Sequence, residues 1–216
     1  MCIRDSNYTT ELTYEEYMCI SHDAYHEKIR YFESRLGEIL KMPFELRTEI
    51  RLDYTFALYR VGAYGQFLHK VDSLIRLVIR ENIYEFRGKD VYRELLFRKA
   101  MSHYRRQEFS RAKKVFAALV KMDFSTDCYK NEYYKCLRDE KRSKSQKARA
   151  LSILIFLTLG VTIAIDLLLI RSFYTQHINT LNALKTFLLT AGVGLILWNE
   201  ISSRAYARNM LNKLKQ

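Results

Sequence analysis

Cys19, His22 and His26 stand three and four residues apart, the spacing at which one helical face could present three ligands to a transition metal. No fourth donor is evident nearby, and an ordinary amphipathic helix gives the same spacing, so neither a metal nor a cofactor is expected. Cys128 and Cys136 are eight apart, which suits neither a zinc knuckle nor a redox pair. The chain has no glycine-rich phosphate loop and no G-x-S-x-G nucleophile turn. Nothing positive marks an enzyme, and no catalytic residue is assigned. Arg105-Arg106 and Lys113-Lys114 are basic pairs of the kind that touches nucleic acid, but their surroundings decide against that reading. Residues 1–137 hold 24 Lys and Arg against 20 Asp and Glu, whereas residues 138–216 hold 12 against 4. Most of the formal net charge of +12 therefore belongs to the last third of the chain, and no nucleic-acid partner is expected.

The elements that position these residues must be helices. One proline and seven glycines in 216 residues are too few for the frequent turns of a strand-rich fold. A hydrophobic content of 49% is far above that of a disordered chain. The expected class is all-α.

The basic excess surrounds two apolar runs. Ala150 to Ile170 reads ALSILIFLTLGVTIAIDLLLI, with Asp166 its one charge, and at helical rise it covers roughly 30 Å, the thickness of a hydrocarbon core. A second run, LNALKTFLLTAGVGLILWNEI, needs Ala183, Leu184 and a snorkelling Lys185 to complete its length. The organisation expected is a basic juxtamembrane linker over 141–149, transmembrane helices over 150–171 and 181–201, an external loop over 172–180 and a basic cytoplasmic tail over 202–216. Lys141, Arg142, Lys144, Lys147 and Arg149 precede the first span, and Arg204, Arg208, Lys213 and Lys215 follow the second. Positive flanks stay inside, so the chain is expected to be integral to a bacterial inner membrane with both ends cytoplasmic. The first five residues are then expected at the membrane surface, against anionic headgroups. In that compartment the cysteines stay reduced. Tyr174 and Trp198 sit where interfacial aromatics belong. Asp166 either lines a proton or ion path or, as favoured, snorkels outward or pairs with Lys185. Gly160 and Ala164, and likewise Thr190 and Gly194, are spaced four apart, which allows close helix approach within the hairpin or between copies in a homo-oligomer.

Ahead of these runs, three segments align: DAYHEKIRYFESRL from Asp23, GAYGQFLHKVDSLI from Gly62 and QEFSRAKKVFAALV from Gln107. Each places an aromatic third (Tyr25, Tyr64, Phe109), and the positions four, seven and eleven residues later, apolar except for Lys113, lie on one helical face. Amphipathic helices over Arg47–Val61 and Asp90–Arg106 precede the second and third copies. Helix, tight turn and helix make a helical-hairpin repeat. Pro43 marks the break between the first pair and the second.

RVGAYGQFLHKVDSL and RRQEFSRAKKVFAAL resemble the second-helix signature of the tetratricopeptide-repeat family. Ala112 fills the family's small packing site, where Phe67 departs from it, and Ala100 fills the site of the first helix, where Thr55 departs. The copies are spaced by 39 and 45 residues rather than about 34, with an extension around ENIYEFRGKDV. The resemblance implies a repeat domain over 13–140 whose first helices line a groove for a protein or peptide. The family's groove positions fall on Glu49, Leu52, Phe56, Tyr59 and Arg60, and on Glu94, Phe97, Met101, Tyr104 and Arg105. Phe56, Tyr59, Arg60, Met101, Tyr104 and Arg105 are the partner-binding residues this implies. Chaperone-tail binders of the family carry a lysine and asparagines in the groove; Leu52 and Phe56 stand there, so chaperone tails are not the expected ligand.

The opening MCIRDS resembles translated sequencing-adaptor read-through, so residues 1–12 are expected to be artefactual or disordered, and an upstream repeat is left open. Two functions compete. In the first, a membrane-anchored scaffold recruits a protein or peptide to the cytoplasmic face. In the second, a membrane effector oligomerises through its hairpin to permeabilise or remodel the bilayer.

Overall fold

The computed structural model describes residues 3–165 and 178–215. They are mostly helical, as expected, and divide into two compact units, Met1–Leu119 and Val120–Gln216. The division falls in the last turn of a helix, not near residue 140, because the helix after it packs along the C-terminal hairpin.

The first unit contains α1 (Ile3–Cys19), α2 (Tyr25–Ser34), the short α3 (Leu36–Ile39), α4 (Phe44–Arg60), α5 (Tyr64–Arg80), strands β1 (Glu85–Phe86) and β2 (Lys89–Asp90), α6 (Val91–Arg105) and most of α7 (Phe109–Met122). Helix α1 begins at Ile3, inside the segment expected to be disordered. Pro43 ends one turn and starts α4, its fixed φ suiting a helix entry. Helix α4 is central: it packs on α2 and α5, and Ile50, Leu52, Asp53, Tyr54, Thr55, Ala57 and Leu58 are all buried. Leu52 therefore belongs to the core rather than to a groove. Helix α5 buries Phe67, Val71, Leu74 and Val78, a 4-3-4 spacing that aims one stripe at α4 and α6. The largest contacts of this core include a stacked pair, Phe32 on Tyr54, with ring centroids 3.9 Å apart.

The turns of the two hairpins α4–α5 and α6–α7 repeat one another at an offset of 45 residues. At the first, Val61, Gly62 and Ala63 donate backbone hydrogen bonds to Ala57, Tyr59 and Leu58; at the second, Arg106, Gln107 and Glu108 donate to Ser102, Tyr104 and His103. Gly62 and Gln107 both have positive φ, +80° and +61°. This is the left-handed stop that satisfies the last carbonyls of a helix. The tyrosine before each turn meets the aromatic after it edge-on, Tyr59 on Tyr64 and Tyr104 on Phe109, each at 5.8 Å. The loop between α1 and α2 lacks this pattern.

The second unit contains α8 (Asp127–Lys144), α9 (Gln146–Ile165) and α10 (Ile178–Lys215). Asp123 shapes the entry to α8 by accepting from the Ser125 amide and hydroxyl and the Thr126 hydroxyl, which hold its carboxyl down at about 2. Helices α8 and α9 are separated only by Ser145, so the expected linker over 141–149 is helical. Helix α10 runs antiparallel along both: Gly192 meets Phe156 of α9, whereas Glu200 pairs with Arg142 and the Tyr206 ring lies under Lys141 of α8. Residues 202–215 of the expected tail are thus the end of one 38-residue helix, about 57 Å long at helical rise.

Among the described residues, no helix is long and apolar enough to cross a membrane. Residues 166–171 of the first expected span and 172–177 of the loop, with Asp166, Tyr174 and His177, lie outside the described residues. The close approach between α9 and α10 is at Gly192, where a Cβ would come within 3.0 Å of the Phe156 ring; Gly160 and Gly194 have no atom within 4 Å of a Cβ position. The expected small-residue pairs are therefore not the contact between these helices.

The shared turn yields a stability test. Gln107→Gly removes a side chain from left-handed backbone and is expected to stabilise the chain by about 1 kcal/mol, while Gly62→Ala destabilises it by a similar amount. Urea unfolding of both variants checks this. No change at either position would mean that the two turns do not set the stability of their hairpins.

Candidate ligand-binding site

The second and third hairpins are joined by EFRGKD, and this short piece builds the site. Arg87 and Gly88 both have positive φ, +52° and +75°, the pair of conformations that a two-residue hairpin turn requires. Glu85 pairs with Asp90 and Phe86 with Lys89. Strands of two residues are not stable alone, and the tip is held from below. The Arg87 guanidinium donates to Asp53 Oδ1 at 2.7 Å and lies 5.0 Å from the Phe86 ring centroid.

Asp53 is itself buried on α4. Lys28 of α2 donates to Asp53 Oδ2 at 2.8 Å, and the Tyr17 hydroxyl of α1 donates to the same oxygen at 3.2 Å. Burial, and then the Asp53 charge, push the Tyr17 phenol far up, so it remains a donor. One carboxylate thus gathers α1, α2, α4 and the hairpin. A buried charge is tolerable when saturated in this way.

Above Asp53, a cavity of about 220 Å³ opens between α4, the hairpin and α6, and its lining includes His22, Tyr25, Phe56, Arg60, Phe86, Lys89, Glu94 and Arg98. Arg98 is the most fixed of its cations. It donates to Glu94 one turn earlier at 2.8 and 2.6 Å, and stacks over Phe56 at 4.0 Å and Tyr59 at 5.4 Å. Arg60 and Lys89 are exposed, with no acidic partner among the described residues. Guanidinium groups and aromatic rings in one wall are the side chains that can receive an anion.

Of the residues assigned from sequence, Phe56 and Arg60 line this cavity. Tyr59 and Tyr104 brace their own hairpin turns instead. Tyr59 is also packed on Phe67 at 5.6 Å, and burial raises its phenol, opposed by the nearby Arg98, Arg105 and Arg60. Met101 is half-buried and Arg105 exposed, and neither lines the cavity. Cys19, His22 and His26 do not share a helical face: α1 ends at Cys19, His22 lies in the loop beside Arg87, and His26 is in α2. No group of residues suited to a metal is present among the described residues.

The membrane-surface cations are placed unevenly. Arg142 is bonded to Glu200, Lys141 lies 5.7 Å from the Tyr206 ring centroid, and Lys144 bonds the buried Glu140 at 2.8 Å. Lys147 and Arg149 lie in α9.

The residues missed from sequence are Lys28, Asp53, Arg87, Lys89 and Arg98. The available signal was Arg87-Gly88 between Glu85-Phe86 and Lys89-Asp90, a glycine placed as in a two-residue hairpin turn. Removing Asp53 leaves Lys28 buried without its partner, so Asp53→Ala is expected to cost about 3–5 kcal/mol of stability. Chemical denaturation of the variant measures it, and a loss below about 1 kcal/mol would mean that the cluster is not what holds these elements together.

No family model matches the chain, and no curated protein or solved structure matches it either.

Proposed function

We propose that the chain is a membrane-anchored scaffold. Its tetratricopeptide-like hairpins α4–α5 and α6–α7 recruit a protein or peptide partner, and the α9–α10 hairpin fixes the location. The observation that carries the recruiting role is the cavity between the first helices of the two hairpins, where Arg60, Lys89 and Arg98 stand beside Phe56 and Phe86. Arginine and aromatic side chains in a recess are the residue types that carry binding energy at interfaces. A photo-crosslinking amino acid at Phe56 of the full chain is expected to give a discrete protein adduct in cells, suppressed by Arg60→Glu. The same probe at exposed Tyr84 serves as control. Equal labelling from both positions, or none from Phe56, rules the groove out.

The anchoring role is supported by an inverted surface. On α9, Ser152 is buried while Ile153 and Leu157 are 67% and 64% exposed; on α10, Phe187 and Trp198 are 67% and 74% exposed. Water-facing helices rarely show this arrangement, and apolar patches of this kind mark contact with lipid or protein. The chain is expected to stay with membranes through alkaline carbonate extraction, with no leakage of dye from vesicles that contain it. Release into the soluble fraction would sink the anchor. Leakage that rises with protein density would favour the effector reading.

A further inference from the structure

The cavity is lined by four fixed or potential anion-binding cations, Arg60, Arg87, Lys89 and Arg98, and by two carboxylates, Asp53 and Glu94. Arg87 is committed to Asp53, and Arg98 to Glu94. Lys28 adds a further cation to the far side of Asp53 at 2.8 Å. His22 stands at the rim, its Nδ1 3.4 Å from the Arg87 guanidinium. Arg60 and Lys89 are therefore left facing the space with two positive charges that no carboxylate matches, besides the one left over where Lys28 and Arg87 share Asp53.

One carboxylate from a partner would match only part of that excess. A phosphate monoester carries close to two negative charges at neutral pH and three strong acceptor oxygens. Guanidinium groups meet such oxygens in pairs, and Arg60 supplies one that no carboxylate holds, while Arg98, bonded to Glu94 and stacked on the Phe56 ring, forms the wall beside it. The space of about 220 Å³ has room for more than the anion itself, with Tyr25, Phe56 and Phe86 offering apolar surface to the carbons behind it. We propose that this cavity reads a phosphorylated side chain of the partner segment, an assignment that rests on the groove being the recruiting site.

Phenyl phosphate and phenyl sulfate share a shape and differ by one charge, which makes them the deciding probes. Binding of each to the full chain in detergent micelles, at about pH 7.5 where the monoester is doubly charged, can be followed by calorimetry. Phenyl phosphate is expected to bind roughly tenfold more tightly than phenyl sulfate, and the exposed double substitution Arg60→Gln with Lys89→Gln to remove that preference. The melting temperature of the double variant should match that of the parent, since neither side chain is part of the core.

Equal affinity for the two probes, or an unchanged preference in the double variant, overturns the assignment. Short-chain phosphatidic acid is the third probe. If it binds more tightly than phenyl phosphate with the same dependence on Arg60 and Lys89, the site belongs to a lipid headgroup and the phosphorylated-side-chain assignment fails. A Phe56 adduct without phenyl phosphate binding refutes the phosphate chemistry alone and leaves the groove standing.

Discussion

The carboxylate of Asp53 is the constraint around which the first unit is arranged. It lies on the most enclosed helix, where an unpaired charge could not remain. Its partners arrive from three separate elements: Lys28 from α2, Tyr17 from α1 and Arg87 from the hairpin tip. Each connection ties an element to α4, in addition to the direct packing of α2 on that helix. The hairpin is the clearest case, because four strand residues cannot hold a shape unaided. Its placement then decides where Phe86 and Lys89 stand, and with them the wall of the cavity. A polar contact buried in the core thus determines the geometry of a surface recess.

The helical part of this arrangement was legible in the sequence and the rest was not, for physical reasons. Helices leave a periodic trace over three or more turns, and Arg47–Val61 and Asp90–Arg106 lie within a few residues of α4 and α6. The turn geometry that recurs at Gly62 and Gln107 was only half legible, because one of the two positions is not a glycine. A two-residue strand is too short to alternate, so EFRGKD read as an extension. The Lys28–Asp53 pair joins residues 25 apart in sequence, and no local pattern announces such a partner. Spacing alone also misled at Cys19, His22 and His26, where the chain leaves the helix between the first residue and the other two.

The second unit buries Tyr133, Cys136 and Leu137 of α8 in the ordinary way, but its hairpin packs differently. Ser152, Leu159 and Gly192 are covered there, while Ile153, Leu157, Phe187 and Trp198 are exposed. At its charged end the contact between α8 and α10 changes character, to Arg142 with Glu200 and Lys141 over Tyr206. Both regimes occur along the same helix. The boundary between them lies close to Trp198 and Glu200.

That helix has a mechanical consequence. Helix α10 continues unbroken from Ile178 to Lys215, with no proline and no glycine beyond Gly194. Without a hinge in its C-terminal half, it behaves there as a stiff shaft. A turn about its axis imposed at Leu197 must reappear at Ser203 and Ala207, both fully buried. Side chains along that stretch therefore keep a fixed angular relation to Glu200 and Tyr206, which meet α8.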